Sequence, residues 1–501
     1  MDYTESTPHT HRDGKRKIRH MTLRPKVLNR LALATTLAGL LGACAATPEP
    51  APQAGPAPTP PSQKTYPVQP PEGQAQQPVN TPVTVPAANT GPAAVPGDPA
   101  GSPDATAFSG PTGPFDPTGN AEMDAWREDF AMRARAEGHN PALVYALLKD
   151  IRPLDIYLGP DNQSEVANQA EFAKAIWDYL STAVTDARFE TGQRKLAELG
   201  PVFDRIEQTY GVNREVLGAI WGMETNFGGY MGDFSAANTL ANMAVEGRRR
   251  SFAESQITAL FEIVENGYAR VDQLGSGWAG AMGHTQFMPT TYLTYAQDYD
   301  GDGLANVWTS APDALASAAN YLSASGYRFD QPWGTEVIAP QSFDWSMADG
   351  NDRRLSTWKA QGLTPIRGGS FGASDSDYAQ LWLPAGATGP KYLLFRNFEV
   401  FKTYNRSNSY AFAVGLLADG LGGQYGPVAA WPRDMERLTI EEVKQLQSAL
   451  NQLGYDAGGV DGIVGSGTRG ALQRFQQANG LVADGYPSKP ALNAVLAQLR
   501  S

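Results

Sequence analysis

Glu224 stands in the run Leu217-Gly-Ala-Ile-Trp-Gly-Met-Glu224-Thr-Asn-Phe-Gly228. Around it Val216, Ile220, Met223 and Phe227 recur three and four apart, as apolar residues do on one face of a helix. That winding puts Glu224 on the face shared by Leu217, Ile220 and Trp221, away from the polar side. Burying a carboxylate disfavours its charged form and raises its pKa. A carboxyl kept protonated near neutral pH can act as a general acid. The competing reading is a partly buried glutamate paired with an arginine, which is the commoner state of a lone one.

Two further stretches change that balance. The first is Trp278-Ala-Gly-Ala-Met282-Gly283-His284-Thr-Gln286-Phe-Met-Pro289; the second is Tyr404-Asn405-Arg406-Ser-Asn-Ser409-Tyr410-Ala411. Glycines let a backbone approach a ligand closely. Gln286 and Asn405 can donate and accept at sugar hydroxyls or acetamido groups, and the aromatics offer flat faces to sugar rings. Each stretch alone reads equally well as a loop and a core aromatic. Their conjunction with Glu224 points to a glycan cleft.

Asp298-x-Asp300-x-Asp302-Gly303 begins like an EF-hand loop, with carboxylates at alternating positions and glycine at the sixth. The twelfth position, normally a bidentate glutamate, is Thr309. The aspartates can equally build a turn, and Ser310-x-x-Asp313 can cap a helix over 314–322.

The elements that must position these residues follow from the wider pattern. Helical periodicity runs from about Glu122 to Gly423, interrupted between about 330 and 397 by aromatic and Gly-rich segments such as Tyr392-Leu-Leu-Phe395 that suggest short strands. Thr439-x-x-Glu442 is a capping-box pattern. Behind it Val443, Leu446, Leu450 and Leu453 form one stripe, and Leu472-Phe475 and Leu492-Val495-Leu496 supply two more, so three short helices are expected.

Of 37 prolines, 20 fall between Pro48 and Pro117. That stretch, poor in charge and in large apolar residues, cannot bury enough surface to fold and reads as a tether. Ahead of it Arg24, Lys26 and Arg30 precede an 11-residue apolar run, Leu31–Leu41, then Gly42-Ala43-Cys44. The run is shorter than the roughly 20 residues that span a bilayer but suits a signal-peptide core. Leu-Gly-Ala-Cys resembles a bacterial lipobox, against the alternative of an ordinary secretory signal with an incidental cysteine. Met21 is an alternative start. Cys44 is the single cysteine, so no internal disulfide exists.

Net charge is −12. Residues 1–43 hold 8 Lys/Arg against 3 Asp/Glu, leaving the remainder at −17. So acidic a surface repels phosphate backbones, which argues against nucleic acid. With processing at Cys44 only His139 and His284 remain, too few for a His-rich metal site and little for a Ser-His-Asp triad. His284 reads as a wall residue.

Over about 120–424 these motifs, with Phe172-Ala-Lys-Ala-Ile-Trp-Asp-Tyr179, resemble the lytic murein transglycosylases of the membrane-bound B type. The resemblance implies a lysozyme-like helical fold and non-hydrolytic cleavage of the MurNAc-β-1,4-GlcNAc bond to a 1,6-anhydromuramyl end. It makes Glu224 the single acid/base, the substrate's acetamido group replacing the usual second carboxylate. It places Gln286, Tyr404, Asn405 and Tyr410, with Met282 and Gly283, along the glycan groove, and Arg249 and Arg250 of the Arg248–Arg250 run near the muramyl peptide. Gly277 intervenes between Ser276 and the loop's aromatic, a departure that removes the family's serine from its usual place. A variant calcium loop is also implied, with Asp298, Asp300, Asp302 and a later ligand, Asp313, holding a structural Ca²⁺; no cofactor is required for the reaction. The tail, about 438–500, resembles a small peptidoglycan-binding domain.

The expected architecture is therefore mainly α. A signal peptide with lipobox (1–43) and a Pro/Ala-rich disordered tether (44–118) precede a lysozyme-like helical catalytic domain (119–424) with a small mixed inserted subdomain. A linker (425–437) leads to a C-terminal three-helix peptidoglycan-binding domain (438–501). The expected setting is the periplasm, with Cys44 lipid-anchored to the outer membrane and with glycan strands and stem peptides as partners. A hydrolytic muramidase and a non-catalytic wall-binding lipoprotein are the rival readings.

Overall fold

Glycan-cleft residues more than 180 positions apart must be brought together by long-range helix packing. The structure, a computed structural model, describes residues 108–158 and 175–500. The leader, Cys44, most of the tether and Phe172–Lys174 of the aromatic motif lie outside the described residues.

The helix Arg214–Thr225 is the spine of the domain, with nine of its twelve residues buried. It packs against the helix Asn408–Leu421. Leu217, Ala219 and Ile220 are fully buried in one core that runs from Phe115 to Leu421; each large aliphatic side chain there contributes about 1.5–3 kcal/mol. Asp186–Glu198, Gly200–Tyr210 and Ala311–Ala324 also pack on this spine, and Ala236–Glu246 packs on Arg250–Glu265. Local sequence sets their starts: Asn120 Oδ1 accepts from Met123 N at 2.9 Å, and Asn140 caps a helix with Pro141 at its first position.

The expected tether ends earlier than residue 118. Phe115 is buried, stacks on Tyr145 at 5.3 Å and lies 4.7 Å from the Arg127 guanidinium. An aromatic in a Pro-rich segment can repay its ordering entropy by burial, so the chain is already folded there.

The mixed insertion is a five-stranded antiparallel sheet in the order Arg353–Arg354, Tyr378–Trp382, Tyr392–Leu394, Gly334–Ile338, Thr364–Pro365. Side chains alternate across it as period two requires. Tyr392 and Leu394 join the helical core, whereas Leu393, Leu381 and Val337 join a separate small core with Trp358. Both faces are covered, which explains the continuous apolar run at Tyr392–Leu394.

The tail folds as three helices, Ile440–Gln452, Ser466–Ala478 and Lys489–Gln498, around Leu446, Leu450, Leu472, Phe475 and Val495. Both arms of the capping box form, Thr439 Oγ1 accepting from Glu442 N at 3.3 Å and Glu442 Oε2 from Thr439 N at 2.9 Å. Residues 425–437 do not behave as a free linker. Glu336 accepts from Val428 N and Ala429 N at 2.7 and 2.9 Å, and the Trp431 ring sits 5.9 Å from Trp177. The tail itself docks on the sheet: Asp484 Oδ2 accepts from Ala387 N at 2.9 Å, and Gln473 Nε2 donates to the Trp345 carbonyl at 3.3 Å.

Candidate active site

Glu224 occupies the last turn of its helix, one residue before Thr225. The chain then leaves through Asn226, Phe227 and Gly228 at φ of 51°, 60° and 79°. Two successive non-glycine residues in the left-handed region are strained, a cost met only where surroundings over-determine it. Phe227 is what holds them: its buried ring turns back onto Gly222, where a Cβ would come within 2.7 Å of it. Thr225 completes the clamp, its Oγ1 donating to the His284 carbonyl at 2.7 Å and accepting from Gly228 N at 3.0 Å. The glutamate helix is thereby tied to the Trp278–Pro289 loop.

The Glu224 side chain keeps partial exposure to solvent, beside Tyr410, which lines a large cavity. Dense protein on its other sides raises its pKa to about 8, opposed by a hydrogen bond from Tyr410. The Tyr410 hydroxyl donates to Glu224 Oε1. No arginine or second carboxylate acts on Glu224 among the described residues, so the arginine-paired reading fails here. One oxygen is held by a phenol; the other is free to meet a ligand.

Tyr410 is 1% exposed, at the start of the helix Asn408–Leu421, whose N-cap Ser407 accepts from Tyr410 N at 3.4 Å. Asn405 is buried, and its Oδ1 accepts from Ser407 N at 2.9 Å, shaping the turn before that helix. The Tyr404 hydroxyl is buried and has no partner of good geometry among the described residues, only a weak approach to Thr285. Its ring lies 6.1 Å from Phe287, and it feels the Glu224 charge, which with burial holds its pKa well above the usual phenol value. A buried orphan hydroxyl beside the acid is a place for a ligand oxygen.

The loop residues have more structural work than their types suggested. Gln286, at φ 53°, donates its amide to the Gly283 and Met231 carbonyls at 2.8 and 3.3 Å, leaving its oxygen as the available group. Gly283 is required by contact: a Cβ there would fall 2.2 Å from the Val307 carbonyl oxygen. Met282 is corrected from groove to core. Its side chain is fully buried, and its backbone pairs with Phe287 in both directions at 2.8 and 2.9 Å. Ser276 is buried too, its hydroxyl turned to the Gly277 carbonyl. His284 accepts at Nδ1 from Trp221 Nε1 at 3.2 Å; burial, then Lys195, lowers its pKa, so it is a neutral strut behind the helix.

Arg249 and Arg250 are not brought to the acid. Arg249 stacks 4.0 Å over Phe252, and Arg250 donates to the Ala244 carbonyl at 3.1 Å, both at the start of the helix Arg250–Glu265, and neither acts on the Glu224 carboxyl. Of the acidic loop, Asp298, Asp300 and Asp302 offer oxygens all within 4.8 Å of one another, a donor set suited to a hard cation. Asp313 does not join them. It is buried, with Oδ1 accepting from Tyr299 N at 3.0 Å and Oδ2 from Asn306 N at 2.9 Å, so it ties the loop from within.

Three residues escaped the sequence reading. Thr225 carries no local signal beyond adjacency to Glu224. Arg437, which ends the segment 425–437, and Arg469 of the tail line the same cavity as Tyr410 only in three dimensions.

Comparison with known proteins places this geometry. Residues 122–419 match the transglycosylase SLT domain family, and residues 439–495 match the peptidoglycan binding domain family. Membrane-bound lytic murein transglycosylase B of Escherichia coli K12 is 31% identical over 250 residues, 48% of this chain and 66% of that protein. The crystal structure of SltB3 from Pseudomonas aeruginosa in complex with NAG-anhNAM-pentapeptide matches at 39% identity and a TM-score of 0.70, over 75% of this chain and all of that one. The soluble lytic transglycosylase SltB1 from the same organism matches at 25% and 0.52, over 60% and 98%.

Proposed function

Because the chain belongs to the transglycosylase SLT family, we propose that it cleaves the MurNAc-β-1,4-GlcNAc bond of peptidoglycan without water, using Glu224 as sole acid and base. The carrying observation is a partly exposed carboxyl raised to about 8 and partnered, among the described residues, by a single phenol. Protonated at neutral pH, Glu224 gives its proton to the glycosidic oxygen as the C1–O4 bond breaks. The resulting carboxylate takes the proton of the C6 hydroxyl as O6 bonds to C1 and closes the anhydro ring. The proton count balances, and the acid is regenerated. Tyr410 holds Oε1 and so directs the other oxygen to substrate.

The relatives' names and the binding-domain match support a periplasmic, wall-associated setting. Lipid anchoring through Cys44, to the outer membrane, extends that reading; a Cys44→Ser chain should then leave the membrane fraction, and one that stays there would contradict it. A structural Ca²⁺ on Asp298, Asp300 and Asp302 is part of the same proposal, with no role in bond breaking.

Mass spectrometry of purified peptidoglycan treated with residues 108–501 tests the reaction. Anhydromuramyl ends are expected from the wild type and absent with Glu224→Gln. Reducing ends would make the protein a hydrolase, and no products with wall binding retained would leave a scaffold.

A further inference from the structure

His284 has no step in the reaction above, yet it meets the chain on both sides of Glu224. Three residues before the acid, the Trp221 indole N–H donates to His284 Nδ1 at 3.2 Å. One residue after it, the Thr225 hydroxyl donates to the His284 carbonyl at 2.7 Å. Four residues after it, Gly228 lies against the ring, where a Cβ would come within 2.5 Å of Cε1 and Nδ1. This bracket encloses Asn226 and Phe227, the strained pair at φ 51° and 60°. Its far side is fixed as well, because His284 N donates to the Val307 carbonyl at 2.9 Å.

A histidine suits this place in a way that an apolar residue does not. Trp221 is 2% exposed, and its indole can only donate, so a buried acceptor must meet it. Nδ1 accepts only in the neutral ring with its proton on Nε2, since a charged imidazole has two donors and no acceptor. Burial favours that neutral form, and so does the Lys195 ammonium of the helix Asp186–Glu198, itself paired with Glu198 at 2.7 Å. The rings add shape. Trp221 makes edge contacts with both Phe227 and His284, each at 5.7 Å between centroids. Phe227 is the ring that folds the exit back onto Gly222, so the imidazole buttresses the rings that hold the strained turn.

We propose that His284 is a positioning residue for Glu224: through Trp221, Thr225 and Gly228 it sets where the last turn of the glutamate helix ends and so where the carboxyl points. It does not act on the carboxyl itself. The inference rests on the reading of Glu224 as the acid given above. A reacting group must be held within a fraction of an ångström of its productive place. A turn in a sparsely populated conformation provides that only while its surroundings over-determine it.

The test compares wild type with His284→Leu, His284→Asn and Trp221→Phe in the intact chain, by carbon-13 titration of Glu224 and by steady-state kinetics on purified glycan strands. Leucine and asparagine have nearly the same shape, and only asparagine offers an acceptor close to where Nδ1 stood. His284→Leu should lower kcat by about ten- to hundred-fold with KM unchanged, the scale of an ångström's misplacement. Its Glu224 midpoint should fall below the wild-type value of about 8 as the loosened turn admits water. His284→Asn should recover most of both. Trp221→Phe removes the same hydrogen bond from the other side and should resemble His284→Leu, so it decides the matter if the leucine variant does not fold. A midpoint and kcat unchanged in both His284→Leu and Trp221→Phe, or an asparagine variant no better than leucine, overturns the proposal, whatever the melting temperatures. If the wild type forms no anhydro ends, the activity falls, while the midpoint, which needs no substrate, still judges the positioning.

Discussion

The end of the glutamate helix and the Asp298–Asp313 loop each hold a carboxyl whose pKa burial pushes up, to about 8 for Glu224 and about 6 for Asp313. Their hydrogen bonds differ. Asp313 accepts from two backbone N–H groups, one on each oxygen, and these pull its pKa back by favouring the charged form. Glu224 accepts from Tyr410 alone among the described residues. Desolvation is common to both regions. What separates a reagent from a strut is the oxygen left without a donor on a partly exposed side chain.

Substitution should break the two regions in opposite ways. Glu224→Gln should lower turnover by about 10³-fold, within the range for losing a general acid/base, while melting no earlier than wild type. The linkage has a definite sign. Glu224's folded pKa is raised above its ordinary value, so the stability tied to its protonated form is complete below about 4.5 and is lost as pH rises through about 8. The variant carries no such loss and should gain on wild type in melts between those pH values. Asp313→Ala should do the reverse. It leaves two buried N–H groups unpaired, at about 1–3 kcal/mol each, so denaturant melts should show a large loss of stability with turnover per folded molecule kept. An active, stable Asp313→Ala protein would erase the distinction between the two regions.

Tyr410→Phe sharpens it further. The phenol favours the carboxylate, so its removal should raise the Glu224 pKa and move the alkaline limb of kcat/KM upward, with turnover down by about ten-fold as one hydrogen bond of roughly 1.5 kcal/mol is lost. An unmoved limb would mean that another group sets it. The smallest effect belongs to the exposed cluster. Chelation should lower the melting temperature by a few degrees, about 1 kcal/mol of bound-ion stabilisation, without changing the products; no shift would remove the ion.

Much of this was legible along the chain because its signals are local. The apolar spacing around Glu224, the Thr439–Glu442 capping box and the three tail stripes each lie within a few turns, and each element formed where its period placed it. The strands of the insertion were signalled by Tyr392–Phe395, though their order was not, since antiparallel pairing of 334–338 with 392–394 is a long-range choice. Site roles followed the same divide. Glu224 and Tyr410 meet across 186 residues, a contact that no local signal announces. Met282, Asp313, Arg249 and Arg250 have suitable side chains, but packing gave them other partners.

The central claim is that burial keeps Glu224 protonated at neutral pH. Carbon-13 NMR titration of side-chain-labelled glutamates, with Glu224→Gln identifying the resonance, tests it directly. A midpoint near 8 is the predicted result; a midpoint in the ordinary glutamate range of about 4–5 would show the carboxyl ionised at neutral pH and contradict its role as the acid.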